Sequence, residues 1–331
     1  MTELVAITGA AGFIGSHLVE ALVAEGHAVR AMVEYNSFGS WGWLDSLGRE
    51  VMASVDVVLG DVRDRDSVVS FMEGADVVCH LAALIAIPYS YQAPTSYLAT
   101  NAGGTLNVLE AARVLHTPRI VHTSTSEVYG TARCVPIPES HPLRAQSPYA
   151  ASKIAADKFA ESYHLSFEVP VVTIRPFNTY GPRQSTRAVI PTVIAQLSAG
   201  ERVISLGSLE PTRDFNFVQD TAAAFVAAIQ ARSGDVVGKV FNAGSGREVA
   251  VGTLVHMIAE AMGVDVEVVL DARRLRPKES EVMRLVCDST VLRATTSWAP
   301  RYTLEQGLEI TARWFGDRHN LMRYRIGSYD I

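Results

Sequence analysis

The sequence predicts an α/β fold, a doubly wound parallel sheet with a smaller C-terminal lobe, and three observations carry that prediction. Short apolar runs of strand character alternate with longer segments of helical periodicity through the first half of the chain. The strand runs are continuously apolar, the pattern of strands buried on both faces. After about Phe177 the texture changes, as Pro176, Pro182, Pro191 and Pro211 interrupt longer loops.

Taken in order, strands are expected over residues 4–8, 27–33, 55–59, 77–81, 119–124 and 169–175. Helices are expected over 14–25, 67–74, 95–115 and 147–166, and the last carries Ile154, Phe159 and Tyr163 on recurring faces. Each strand–helix–strand step makes a βαβ unit with a right-handed crossover. Residues 1–176, with a return near 214–243, therefore read as the sheet domain, and residues 177–213 and 244–331 as the lobe. A length of 331 residues suits one large domain with a smaller companion.

Composition removes several classes. Hydrophobic residues are 48% and charged residues 19%, enough for a buried core. The net charge of −6 comes without any Lys/Arg run, so a phosphate-tracking nucleic-acid surface is not expected. Cys79, Cys134 and Cys287 are odd in number and widely spaced, which suggests reduced thiols rather than a disulfide framework or a metal site. Met1-Thr2-Glu3 carries an acid where a signal peptide would be basic and runs into only a short apolar stretch, Leu4 to Ile7, and no apolar run is long enough to span a bilayer. A cytoplasmic protein without membrane partners is the expectation.

Gly9-Ala10-Ala11-Gly12-Phe13-Ile14-Gly15 follows the first strand and opens a helix. Glycines at this spacing allow a tight turn and close approach of a pyrophosphate, and helix N-terminal amides favour its charge. In this strand–turn–helix setting the motif points to a Rossmann-type dinucleotide site. An acid usually ends the second strand and holds the adenosine ribose; here that place is Val33, and Glu34 follows. Glu34, Tyr35 or Asn36 is left to hold the ribose, which favours NAD over NADP. Asp61-Val62 suits an adenine edge, although a helix cap is the plainer role for Asp61.

Tyr149 and Lys153 stand four apart at the start of a helix, so they share a face. A phenol is a poor base near neutrality, and a nearby ammonium favours its ionised form. Upstream, Thr125-Ser126-Glu127 ends a strand, where α/β sheets place ligands. Trp41 and Trp43 suit either stacking on a ligand or a local apolar patch. Arg183 reads as a solvated surface residue beside Arg187, and His80 as structural or cofactor-adjacent.

Glycine motif, hydroxyl motif and Tyr–Lys pair together resemble the extended short-chain dehydrogenase/reductase family of NAD-dependent epimerases and dehydratases, over essentially the whole chain. Arg175-Pro176-Phe177-Asn178-Thr179-Tyr180-Gly181-Pro182 resembles its substrate-loop signature, and Arg213-Asp214-Phe215 with Val218 and Asp220 a later one. The resemblance implies tightly bound, recycled NAD held by Gly9, Gly12, Phe13, Ile14, Gly15, Glu34, Asn36, Asp61, Val62, Leu81, Ala82, Ala83, Asn101, Tyr149 and Lys153. It implies catalysis by Thr125, Ser126, Glu127, Tyr149 and Lys153, with no metal. A nucleotide-diphosphate sugar would meet Pro88, Tyr89, Asn178, Arg187, Val189, Arg213 and Arg276, and a homodimer would form through the two long helices. The strings at 35–45, 87–91 and 188–191 are similar to nucleotide-sugar 4,6-dehydratases of the legionaminic-acid pathway, whose substrate is GDP-N-acetylglucosamine.

That resemblance implies a 4,6-dehydratase: oxidation at C4, loss of water across C5–C6 with Glu127 as the C5 base, and hydride return to C6. Dehydratases acting on dTDP-glucose have Thr-Asp-Glu, and Ser126 replaces the acid. Thr-Ser-Glu also resembles nucleotide-glucuronate decarboxylases, and a 4-epimerase needs no second base. A non-catalytic NAD-binding sensor is the reading outside enzymology, and the intact Thr125, Tyr149 and Lys153 oppose it.

Overall fold

The computed structural model describes residues 3–324. Its sheet and principal helices run β1 (Leu4–Thr8), α1 (Phe13–Ala24), β2 (Ala28–Val33), β3 (Val55–Leu59), α2 (Arg65–Met72), β4 (Val77–His80), α3 (Gly104–Leu115), β5 (Arg119–Thr123), α4 (Pro148–Phe167), β6 (Val171–Pro176), α5 (Val189–Ser198), α6 (Val218–Gln230), β7 (Val240–Ala243), α7 (Val251–Met262) and α8 (Leu304–Gly316). Seven strands form one parallel sheet in the order β7-β6-β5-β4-β1-β2-β3.

The continuous apolar runs explain why both faces are covered. Strand side chains alternate, so Val5 and Ile7 of β1 enter one core with Leu18, Leu22 and Phe225 of α1 and α6. Ala6 points the other way, with Val78 and Ile120, toward Phe71 of α2, Val108 of α3 and Ala160 of α4. Strand order reverses between β1 and β4, and the crevice at their carboxyl ends is where such sheets bind ligands.

Local chemistry moves several boundaries. The expected helix at 67 begins at Arg65, because Asp64 caps it by accepting from Asp66 N and Ser67 N. Asp64 therefore fills the capping role that the sequence left open for Asp61. The expected helix 95–115 is three segments, Pro94–Tyr97, a π-helical Leu98–Gly103 and α3. Ser147 accepts from Ala150 N and Pro148 occupies the first turn, which fixes the start of α4.

The lobe has its own core of Tyr180, Ile194, Phe215, Leu254, Ile258, Leu308 and Phe315, gathered by α5, α7 and α8. Short strand pairs join Thr179–Tyr180 to Asn216–Phe217 and Thr212–Asp214 to Glu248–Ala250. The division read in the sequence is crossed both ways: Leu292 and Trp298, placed with the lobe, pack in the core on the sheet side, and Phe215, Phe217 and Val218, placed with the sheet, pack in the lobe core. No helix of the described residues is long and apolar enough to cross a membrane.

Candidate active site

The glycine motif forms a cradle at the β1/β4 reversal. Gly9 has a φ of +72°, and a Cβ there would sit 2.7 Å from Ala82 N and 2.8 Å from the Leu81 carbonyl carbon. A Cβ on Gly15 would collide with the Gly9 carbonyl oxygen. Gly12 caps α1 with no side chain, and no acid lies in the first turn, so the amides from Phe13 onward face an anion unopposed. Trp43 N donates to Ala11 O at 3.0 Å, which lays the 41–46 turn over this loop. Trp43 itself packs on Trp314 and Tyr324, with ring centroids 5.7 and 5.8 Å away, so it belongs to an aromatic cluster with the lobe.

A pocket of about 330 Å³ continues the cradle along Glu34, Tyr35, Gly60, Asp61, Arg63 and Ser67. Here two of the expected cofactor contacts already have partners within the chain. Asn36 shapes its own loop, accepting from Phe38 N and Ser40 N and donating to Ser40 O, so its amide is occupied before any ribose arrives. Asp61 is held by Arg63, whose Nε donates to both carboxylate oxygens at 3.0 Å. That hydrogen bond keeps the Asp61 carboxyl below its ordinary value. Val62 is buried, and its carbonyl accepts from Asn107 Nδ2 at 2.9 Å. Glu34 is exposed at the pocket rim and 3.5 Å from Arg63.

Helix α4 presents Tyr149, Lys153 and Asp157 on one face, one turn apart, all buried. Asp157 is the anchor. Its Oδ1 accepts from His122 Nε2 at 3.1 Å, and its Oδ2 accepts from Ser124 Oγ at 2.8 Å and from Arg175 Nε and Nη2 at 3.1 and 2.9 Å. Burial alone would raise this carboxyl, but the His122 hydrogen bond, Arg175 and Ser124 outweigh it and hold it low. Arg175 also donates to Tyr129 OH, which donates to Asn242 of β7. Arg175 is thus a structural ion in the sheet, although it opens the substrate-loop signature.

Lys153 Nζ donates to Thr123 O at 2.7 Å, and burial brings the ammonium down to about 8 against the pull of Asp157. Tyr149 departs from the expected tuning. Burial pushes its phenol up; the Thr125 hydrogen bond pulls it down, and Glu127, Tyr97 and Asp157 push it up further. Thr125 and Glu127 therefore both lie beside the Tyr149 phenol, Thr125 favouring its anion and Glu127 repelling it. Thr125 and Glu127 are partly open and Ser126 between them is closed off, 2% exposed.

A second network ties the cradle to α4. Thr105 Oγ1 donates to Asn101 O, so it accepts from His80 Nε2 at 3.1 Å. That leaves His80 Nδ1 to accept from Thr8 Oγ1 at 2.8 Å, and the ring is neutral, as burial dictates first. Asn101 clamps Leu84 through both N and O and donates to Ser152 Oγ of α4. The 81–84 segment, with Leu81, Ala82 and Ala83, is held between the two.

Toward the mouth, Tyr149 meets Tyr97 edge-on at 6.2 Å, and Tyr97 meets Tyr89 at 6.2 Å. Tyr97 donates to Ala86 O and is buried at the base of the site; the sequence reading missed it. Pro88 lies in the same short helix as Tyr89. Asn178 holds the lobe by accepting Asn216 N at its carbonyl, and Val189 packs partly against the lobe core. Arg187 is exposed and near enough to Tyr97 to lower its phenol. Arg213 and Arg276 converge on Glu281, at 3.2 and 3.7 Å. Arg183 is corrected from solvated surface to an ion pair: its guanidinium donates to both oxygens of Glu20 at 2.7 and 2.9 Å. A larger groove, about 800 Å³, lies between α7 and α8, far from these motifs and crossed by the Arg247–Glu305 pair.

A glycine cradle on a helix N-terminus, a pocket of about 330 Å³ beside it and a Thr–Tyr–Lys set next to the partly open Glu127 define an extended short-chain dehydrogenase/reductase of the epimerase/dehydratase type. Residues 6–311 match the family model described as GDP-mannose 4,6 dehydratase, and the chain belongs to that family. It is 34% identical to a UDP-glucose 4-epimerase of Mycolicibacterium smegmatis, covering 94% of this chain and 98% of the relative. It is 33% identical to a dTDP-glucose 4,6-dehydratase of Streptomyces griseus, covering 95% and 94%. The solved dTDP-glucose 4,6-dehydratase of Streptomyces venezuelae, which has NAD bound, superposes with a TM-score of 0.84 at 28% identity, covering 97% and 99%.

Proposed function

We propose that the chain is an NAD-dependent nucleotide-sugar 4,6-dehydratase. The observation that carries this is Glu127, facing the cleft beside Thr125 and Tyr149 and near Arg213. A 4-epimerase needs no second base here, and an elimination does.

The cradle around Gly9 and Gly15, and the pocket of Glu34 and Asp61, fit NAD, which when bound takes the C4 hydride and later returns it to C6. Tyr149, beside Thr125, accepts the proton of the C4 hydroxyl. Lys153, one turn along the same helix face and with its value near 8, supplies positive charge that favours the phenolate. With C4 a ketone, the C5 proton is acidified and Glu127 removes it. That proton passes from Glu127 to the departing C6 hydroxyl, which leaves as water. C5 takes a proton from solvent as the hydride is returned to C6, while the proton taken by Tyr149 is released to solvent. The sum is loss of one water with no net redox change, so NAD remains bound and is recycled. Arg213 and Arg276 hold the diphosphate, for which a planar fork is suited. Asn178, Tyr89, Pro88, Arg187 and Val189 line the sugar and nucleotide.

The strings at 35–45 and 87–91 favour GDP-N-acetylglucosamine as substrate. Exposed Val114 of α3 and Phe159, Leu165 and Phe167 of α4 support a homodimer through these helices. A second reading, 4-epimerisation, is favoured by Ser126: it is not an acid, and its side chain is closed off from the cleft.

Mass spectrometry separates these readings. The purified protein, without added cofactor, is incubated with GDP- and UDP-N-acetylglucosamine, dTDP-glucose and UDP-glucuronate. Loss of one water is the expected result. A product of unchanged mass with a new retention time would make it an epimerase, and loss of carbon dioxide from the glucuronate alone a decarboxylase.

A further inference from the structure

Glu281 is an acid set where the fold gathers cations. Its Oε1 accepts a hydrogen bond from Arg213 Nη2 at 3.2 Å and lies 3.7 Å from Arg276 Nη1. That Arg276 nitrogen is closed to solvent and makes no hydrogen bond among the described residues. One carboxylate thus serves two guanidiniums, and a donor between them stays unmet. Arg213 is 8% exposed at its side chain, and burial, with Arg276 adding to it, works against its charge.

The backbone at this point is pinned. Gln146 Nε2 donates to the carbonyls of Glu279 and Glu281, and Ser280 Oγ donates to Gln146 O. Tyr91 OH shares a hydrogen bond with Ser280 Oγ, and Gln146 Oε1 accepts from Thr131 N. Movement of the Glu281 carboxylate is therefore a side-chain rotation over a fixed main chain.

We propose that Glu281 is a built-in counter-anion that competes with the diphosphate of the substrate for Arg213 and Arg276, and so sets how tightly nucleoside diphosphates are held. This rests on reading the two arginines as the diphosphate site. A buried Arg213 beside a half-buried Arg276 is unfavourable without anions, and Glu281, together with Glu127 near Arg213, relieves that. A diphosphate brings two further negative charges to the same donors. The carboxylate must then rotate away or face a like charge at hydrogen-bonding range, and either loss is subtracted from affinity. The same competition helps the product leave, because Glu281 retakes the arginines as the diphosphate departs.

Glu281→Gln keeps shape and an acceptor oxygen while removing the charge. Calorimetry with GDP, UDP and dTDP, each against its monophosphate, compares wild type, Glu281→Gln and Arg276→Ala. For the diphosphate that binds best, Glu281→Gln is expected to tighten binding about tenfold or more, with a smaller gain for the monophosphate. A packing role would weaken binding, so the sign of the change is diagnostic. Glu281→Asp, which shortens reach by one methylene, should move in the same direction by less and substitutes if the glutamine variant does not fold. Unchanged or weaker diphosphate binding in both variants, with Arg276→Ala still losing affinity, overturns the role of Glu281 and leaves the arginine site standing. If Arg276→Ala binds every diphosphate as wild type does, the arginine reading fails and the proposal with it.

Discussion

Asp157→Asn is the sharpest probe of how the site is held. The carboxylate accepts from His122, Ser124 and twice from Arg175, in a region where Asp157 and Arg175 are 6% and 5% exposed. The amide has one acceptor oxygen where four donors converge, and its NH2 faces a donor. Arg175 is then a buried cation without its anion, a change that costs about 3–5 kcal/mol. For a domain of this size that lowers Tm by roughly 5–10 °C, read by calorimetry with cofactor present. A second effect follows from Lys153, whose value near 8 is held up by Asp157 against burial. Without that charge the lysine loses its proton at lower pH, so the alkaline limb of kcat/KM shifts downward. Asp157→Glu, which restores the charge, should recover the limb even if some stability stays lost. An Asp157→Asn protein with wild-type Tm and an unmoved alkaline limb would refute the argument, because it would mean that neither Arg175 nor Lys153 depends on this carboxylate.

Three further outcomes are expected. Glu127→Gln should stop loss of water while exchange of the C4 hydrogen continues, followed by mass spectrometry with deuterated substrate; continued dehydration would remove Glu127 as the base. Tyr149→Phe should lose nearly all turnover yet still bind NAD by fluorescence titration, since the phenol forms no part of the glycine cradle. His17 gives a stability prediction. Burial first, and Arg183 next, lower it from 6.5 to about 4. The unfolded chain therefore takes the proton first as pH falls, and stability declines between about 6.5 and 4 by roughly 3 kcal/mol. His17→Gln keeps a donor to Pro182 O and should flatten that part of the urea-midpoint profile.

The sheet was legible because its strands are largely apolar runs, and burial on both faces of the central ones leaves that mark without any partner being known. The turn at Gly9 was legible for a similar reason, since close approach to Ala82 excludes any side chain. The π-helical segment at 98–103 was not, because it depends on where Asn101 must point to clamp Leu84, a residue seventeen positions away. Helix α6 was also unread: it packs against α1 in one core on one face of the sheet, and its sequence is a run rich in alanine that names no partner.

The site divides along the same line. Tyr149 and Lys153 are four apart on one helix, so their shared face follows from spacing alone, and Asp157 one turn further extends it. What the spacing could not supply is sign. A lysine beside a tyrosine suggests a lowered phenol, yet both groups are buried: Lys153 falls to about 8, and Tyr149 rises because the same desolvation penalises its anion. Charge in a local motif is decided by groups brought from far along the chain, here Arg175, His122 and Glu127. Glu281 was invisible for that reason too. In sequence it is one acid after a Lys-Glu-Ser string, and only the fold turns it toward Arg213, sixty-eight residues earlier. Motif residues therefore say which chemistry a chain can perform, whereas the long-range ions that touch them set its pH range and its hold on the ligand.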